Sequence, residues 1–229
     1  MLQQFKYLLT RIGARSSDRQ LEQVQATVNY LKIGRWMKSR GFELIPRVRT
    51  REDVWDSVAK RLSNRRLLYL EFGVADGASI AYWSNRVTRR DAIFHGFDSF
   101  EGLPEDGGPW KKGQFDRKGE TPLFSDSRVQ FFKGWFNDSL PAYSPPAHDV
   151  LVINMDADLY SSTIYVLRQL RPFMRAGTFI YFDEMNHVEH EPRAFDDFVK
   201  ESGVRFWPVC ADRTLAFVSF ECLGQCTSG

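Results

Sequence analysis

Four carboxylates end two apolar runs of this chain, and their spacing is the first chemistry it offers. VLVINMDADLYSST puts Asp156 and Asp158 just after Val150–Met155, and GTFIYFDEMNH puts Asp183 and Glu184 just after Thr178–Phe182. Short apolar runs of this kind read as strands covered on both faces. If the two strands are neighbours, four acids meet at adjacent tips and repel one another unless something compensates them. A divalent cation is the usual compensation. All-oxygen ligation suits a hard ion such as Mg2+, with Mn2+ or Ca2+ as alternatives. Some of these acids could instead cap a following helix, as Asp158 could before Ser161. His187, just beyond the second pair, is a candidate proton acceptor for a hydroxyl nucleophile, or else a surface-loop histidine beside Glu189 and His190.

A second constellation lies upstream in LLYLEFGVADGASIAYWS. Leu67–Leu70 is strand-like, Glu71 sits at its tip, and Gly73 and Gly77 allow a tight turn close to a ligand. Ala75 stands where a G-x-G-x-x-G pattern would have its middle glycine, and Ser79 starts a helical stripe through Ile80, Trp83 and Val87. In HGFDSFEGLP, Asp98 ends the next strand pattern, where a carboxylate can accept hydrogen bonds from both ribose hydroxyls of a nucleoside. Glu71 could face the ammonium of a methionine moiety, a group that NAD lacks. In KGWFNDSLP, Gly134 and Trp135 could line an adenine pocket, although Trp135 reads equally well as core. Ala75, Gly77, Ser79, Ser99 and Asp156 complete the cofactor-binding candidates.

The elements that must position these residues alternate. Strand patterns fall at Leu67–Phe72, Ala92–Phe97, Val129–Lys133, Val150–Met155, Thr178–Phe182, Val204–Cys210 and Leu215–Phe220. Helical patterns follow at Ser79–Val87, Ser161–Phe173 and Arg193–Ser202, which argues for a mostly parallel sheet covered on both faces. The four residues from Ala211 to Thr214 are too few for a parallel crossover, so the last two strands should form an antiparallel hairpin. Two further helices, about Leu21–Met37 and Glu52–Leu62, precede the first strand. The expected division is a helical N-terminal extension over residues 1–64 and an α/β domain over 65–229. Ser99–Ser127 is long for a loop and follows a strand tip, which favours a lid with Trp110 and Phe115 as its anchors. His95, inside a strand, reads as core.

Composition bounds the rest. The 229 residues carry a net charge of +2, with 43% hydrophobic and 26% charged content. So small a charge does not argue for nucleic acid, and no segment reaches a membrane-spanning length. Cys210, Cys222 and Cys226 lack a metal-type spacing and read as free thiols of a reducing cytoplasm. The first seventeen residues hold no acid but carry Lys6, Arg11 and Arg15, with Leu2, Phe5, Leu8, Leu9 and Ile12 on one helical face. That stripe suits docking on the same domain or on a second subunit of a homodimer or higher oligomer, or else a targeting or membrane-surface helix.

EFGVADGAS, FHGFDSFEGLPED, KGWFNDSLP, DADLYSST and FDE followed by EPRAFDDF occur here in a fixed order. Together they resemble the macrocin/novobiocin-type sugar O-methyltransferases, from about Leu67 to Gly203. FDSFEGLPE and DADLYSST are the most specific of these segments. The resemblance implies a Rossmann-like, seven-stranded class I methyltransferase sheet with a C-terminal antiparallel hairpin. It implies S-adenosyl-L-methionine as methyl donor, a divalent metal (Mg2+), and a sugar-containing small-molecule acceptor from natural-product biosynthesis. By resemblance, Glu71, Gly73 and Asp98 bind the cofactor, Asp156, Asp183 and Glu184 ligate the metal, and Asp158 serves as a base or supporting acid. Two positions depart from the pattern. The family usually has two aspartates where this chain has Asp183-Glu184, and often a histidine where it has Asn186, with His187 one place later. Two other readings remain at this stage. One is an NAD-dependent oxidoreductase, which the incomplete glycine pattern and terminal hairpin disfavour. The other is a binding module that keeps the fold without turnover.

Overall fold

The runs LLYLEF and VLVINM are buried at every position, which is the pattern of strands with neighbours on both sides and helices on both faces. A computed structural model describes residues 2–225, so Cys226 lies outside the described residues. The chain divides into two units at Glu43/Leu44.

The first unit holds α1 (Leu2–Gly13) and α2 (Asp18–Ser39). None of the residues of α1 is buried, and Leu2, Phe5, Leu8, Leu9 and Ile12 are all exposed. A reciprocal cap starts α2: the Ser17 hydroxyl accepts from the Gln20 amide, and the Gln20 side chain accepts from the Ser17 amide at 2.9 Å.

The second unit contains β1 (Arg47–Val48), α3 (Arg51–Ala59), β2 (Leu67–Phe72), α4 (Ala78–Arg86), β3 (Ile93–Asp98), β4 (Val129–Lys133) and α5 (Phe136–Ser139). These are followed by β5 (Val150–Met155), α6 (Tyr160–Leu170), β6 (Phe179–Phe182), α7 (Glu191–Ser202), β7 (Val204–Asp212) and β8 (Val218–Gln225). They build one eight-stranded sheet in the order β1-β7-β8-β6-β5-β2-β3-β4. Seven strands correspond to those expected, with parallel pairing from β6 through β4 and an antiparallel β7–β8 hairpin. The eighth, β1, is a two-residue edge strand pairing Arg47 with Ala211, too short to show any periodicity. Residues 44–64, grouped with the extension by the sequence reading, supply β1 and α3 to this unit. Trp55 and Val58 of α3 enter the same core as Tyr69, Ile80, Trp83 and Tyr181.

The last strand starts three residues later than its apolar run suggests. Asp212 explains this, because its carboxylate accepts from the Thr214 amide at 2.8 Å and the Phe217 amide at 3.0 Å, extending the turn. On the opposite face, α7 buries Phe195 against Phe182 and Phe220. Chain order reverses on either side of β2, whose neighbours are β3 and β5. The crevice beyond the carboxyl ends of β2 and β5 is therefore the expected ligand site of such a sheet.

Candidate active site

A cavity of about 910 Å3 opens at that crevice. Ten of the expected residues line it: Gly73, Ala75, Asp98, Ser99, Gly134, Trp135, Asp156, Asp158, Asp183 and Glu184. Four others, Glu71, Gly77, Ser79 and His187, are not among its lining residues.

The turn after β2 is set by close approach. A Cβ on Gly73 would lie 1.8 Å from the Asp156 carbonyl oxygen, and its φ of +91° is one that side chains disfavour. Gly73 donates its amide to the Phe97 carbonyl, and Asp156 donates to the Phe72 carbonyl, which ties the tips of β2, β3 and β5 together. Asp98 completes the turn. Its Oδ2 accepts from the Val74 amide at 2.7 Å and the Ala75 amide at 2.9 Å, and its Oδ1 accepts from the Phe100 amide at 2.7 Å. A carboxylate offers about four acceptor directions. Three are occupied by backbone, so the expectation that Asp98 grips two ribose hydroxyls leaves it room for one.

Glu71 lies behind this turn rather than in the cavity. It is fully buried, and its carboxylate accepts from the Tyr69 hydroxyl at 2.5 Å and the Ser79 hydroxyl at 2.7 Å. Burial pushes its pKa up to about 8, against the lowering by those two hydroxyls.

The tips of β5 and β6 differ in kind. Asp158 holds a left-handed backbone, φ +57°, and burial together with Asp183 and Asp98 raises its pKa to about 7. Burial, with Asp183 and Asp158 adding, raises Glu184 to about 8. Asp156 is raised well above the ordinary range by burial and then by Asp183, Asp158, Glu191 and Glu71. Asp183 is also raised by burial, although the Tyr181 hydroxyl donates to it and Arg51 acts in the opposite direction. A fifth acid, Glu191 at the start of α7, was missed in the motif reading. It is fully buried, its Oε2 accepts from the Glu184 amide at 2.9 Å, and its Oε1 has no partner among the described residues. The signal for it was EPRAF, an acid followed by proline where a helix begins after a strand tip.

The donor chemistry of Asp156, Asp183 and Glu184 fits a hard cation, since burial and repulsion both await a positive charge there. Among the described residues, however, no three His, Cys, Asp or Glu side chains are already gathered as a metal-holding group.

His187 stands beside the acids but under cover. Its Nε2 lies 3.5 Å from Glu184 Oε2, and its ring packs on Trp110 with centroids 4.7 Å apart. Burial lowers its pKa, with His190 adding, so the ring is neutral at pH 7. Trp110 also meets His190 edge-on at 5.1 Å and is buried, so it anchors the 99–127 loop as expected. A Cβ on Gly107 would lie 2.2 Å from Leu159, which shows how closely that loop lies on the chain leading into α6. Phe115 departs from the expectation: it lines the cavity and is 51% exposed.

Residues 120–214 match the macrocin-O-methyltransferase (TylF) family. The matched span takes in KGWFNDSLP, DADLYSST and the FDE and EPRAF segments, while EFGVADGAS and FDSFEGLPE lie before it. The chain is 33% identical over 109 residues to 8-demethyl-8-(2,3-dimethoxy-alpha-L-rhamnosyl)-tetracenomycin-C 4'-O-methyltransferase of Streptomyces olivaceus, covering 38% of this chain and 40% of the relative. It is 39% identical over 59 residues to demethyldecarbamoylnovobiocin O-methyltransferase of Streptomyces niveus, covering 26% and 22%. The matches thus span about two-fifths and one-fifth of those relatives' lengths. Among solved structures, the O-methyltransferase NovP aligns with a TM-score of 0.53 at 25% identity, over 75% of this chain and 78% of that one. The calicheamicin methyltransferase CalS11 aligns at 0.54 and 20% identity, over 75% and 76%, which bears on the fold alone. The fold is that of the class I methyltransferases.

Proposed function

We propose that this protein is an S-adenosylmethionine-dependent O-methyltransferase that methylates a hydroxyl of a sugar or glycosylated natural product. The observation that carries this reading is the charge of the cavity at the β2/β5 crevice. Asp98, Glu101, Asp156, Asp158, Asp183 and Glu184 line it, against Lys112 as the one lysine or arginine among its lining residues. A dinucleotide would bring two phosphates into that field. S-adenosylmethionine brings a sulfonium and an ammonium, which the field attracts. The relatives' names, which specify O-methyl transfer and in one case a rhamnosyl-bearing compound, support the same reading.

The reaction asks mainly for alignment. The Gly73–Gly77 turn and Gly134–Trp135 hold the donor, and the acceptor hydroxyl lies at the tips of β5 and β6. Its oxygen attacks the methyl carbon opposite sulfur, the carbon–sulfur bond breaks with its electron pair going to sulfur, and S-adenosylhomocysteine leaves. The hydroxyl proton passes to Asp158, whose pKa of about 7 suits a base working near neutrality. Asp156, Asp183 and Glu184 would hold Mg2+, which when bound adds positive charge that favours the deprotonated hydroxyl.

The test is thermal stabilisation by ligands, followed by turnover. S-adenosylhomocysteine should raise the melting temperature and NAD should not. With methyl α-L-rhamnopyranoside as a simple acceptor, labelled methyl from S-adenosylmethionine should appear in the glycoside, stop with EDTA and resume with Mg2+. Stabilisation by NAD alone would overturn the assignment. Full turnover in EDTA would remove the metal and leave Asp158 as an unaided base.

A further inference from the structure

We propose that Phe115 is the platform on which the acceptor sugar rests, with Glu101 beside it taking the sugar's hydroxyl hydrogens. The proposal rests on the methyl-transfer reading and names the surface that selects the acceptor. Phe115 lines the cavity yet is 51% exposed, and no ring packs on it among the described residues. The other aromatic side chains at the cavity are more enclosed. Trp135, Phe136 and Tyr165 are all partly buried, and Phe136 also packs on Phe72 at 5.7 Å.

The backbone holds Phe115 in this position against its own preference. Its φ of +68° is left-handed, an outlier for a bulky side chain, and such strain persists only where the surroundings impose it. Here they do. The Gln114 carbonyl accepts from the Leu103 amide at 3.0 Å, and the Leu103 carbonyl accepts from the Gly113 amide at 2.9 Å. The Asp116 amide donates to Gly113, and the Arg117 amide donates to the Phe100 carbonyl at 3.1 Å. Glu101 is bridged to Asp116, so the carboxylate and the ring enter the cavity from adjoining rungs of one stapled loop. A pyranose has this pair of faces: a sheet of C–H groups to lie on a ring, and a rim of hydroxyls to meet a carboxylate. An exposed, strained aromatic has little to do for stability, so the ligand is the partner that it lacks.

The experiment uses the full chain saturated with S-adenosylhomocysteine and titrates methyl α-L-rhamnopyranoside by saturation-transfer NMR. Phe115→Ala should weaken glycoside binding at least about tenfold, and Phe115→Tyr should keep it, with S-adenosylhomocysteine affinity unchanged in both. Phe115→Gly should weaken the glycoside equally while raising the melting temperature, because it relieves the left-handed strain. A structural residue would lower it. Unchanged glycoside affinity in Phe115→Ala, or a parallel loss of S-adenosylhomocysteine affinity, overturns the proposal. So does a wild type that binds S-adenosylhomocysteine but no glycoside. A wild type that binds neither takes down the methyl-transfer reading itself.

Discussion

The tips of β2 and β3 and the tips of β5 and β6 border one cavity on opposite terms. On the first side the carboxyls have protein partners: Asp98 takes three backbone amides, and Glu71, though burial raises it, takes two hydroxyls. On the second side burial and the neighbouring carboxylates push Asp156, Asp158 and Glu184 upward. The donor side is a finished cradle, whose shape exists before the ligand does. The acceptor side holds unsettled charge, which a ligand, ion or proton must settle. Damage to the first should therefore appear as lost structure and lost cofactor, and damage to the second as lost rate with the fold preserved.

The largest expected effect is at Gly73. Gly73→Ala puts a methyl group 1.8 Å from the Asp156 carbonyl oxygen, at a φ that alanine disfavours. Backbone on both sides of the clash must move, so the unfolding free energy should fall by about 3 kcal/mol or more, near the upper range for overpacking. S-adenosylhomocysteine binding should disappear even at temperatures where the variant is folded. Urea melts and calorimetry check both. Wild-type affinity would mean that the turn is softer than its contacts indicate.

These two sides were not equally legible beforehand. The order of apolar runs disclosed the sheet, because β2 and β5 are buried at every position and their short runs, bounded by turn residues, read as strands by length. The acid tips were legible for the same reason: a carboxylate directly after a buried strand has only one place to go. Asp98 was located by that logic but its role was not. Which groups it meets depends on where the Val74, Ala75 and Phe100 amides point, and amide directions leave no trace in residue types. Trp55 was hidden in another way. Its helix was expected at about Glu52–Leu62 but grouped with the N-terminal extension, because the two-residue strand before it is too short to show a period, yet Trp55 lies in the main core. Phe115 was seen as an anchor because a large apolar residue in a loop usually is one. Only the backbone around it turns it into the cavity.

Asp98→Asn sharpens the comparison from the donor side. The amide keeps one oxygen acceptor but presents N–H groups where a backbone amide also donates, so at least one of the three bonds is lost. Hydrogen bonds to a charged acceptor contribute about 1.5–3 kcal/mol each. The ligand-free protein should therefore lose about 2–4 kcal/mol, and S-adenosylhomocysteine affinity should fall with it. The readout that separates the roles is stability without ligand. If the ligand-free melt is unchanged and only affinity drops, Asp98 acts on the ribose and the turn does not depend on it.

The smallest effect, and the one that tests the acceptor side most directly, is the pH dependence of ligand-free stability. Asp158 and Glu184 have folded pKa values of about 7 and about 8, above their ordinary values near 4. Between these limits the folded state holds more protons than the unfolded one, so stability is fully present below pH 4 and is lost as pH rises toward 8. Each group can contribute a slope of at most about 1.4 kcal/mol per pH unit. His95 acts oppositely. Burial lowers its pKa to about 4, so it stabilises as pH rises from 4 to its ordinary value near 6.5, and the net wild-type slope is shallower than the acids alone would give. The double variant Asp158→Asn with Glu184→Gln removes the contribution of these two acids and leaves that of His95 and those of Glu71, Asp156, Asp183 and Glu191, which burial also raises. Its stability should therefore fall less steeply than that of wild type between pH 5 and 8, while its turnover is lost. Mg2+ should flatten the wild-type curve above pH 6 and leave the double variant unmoved, because the ion replaces the protons that the acids would otherwise hold. Equal pH profiles for wild type and variant, in melts with and without Mg2+, would show that these acids are already compensated, and the contrast between the two sides of the cavity would not hold.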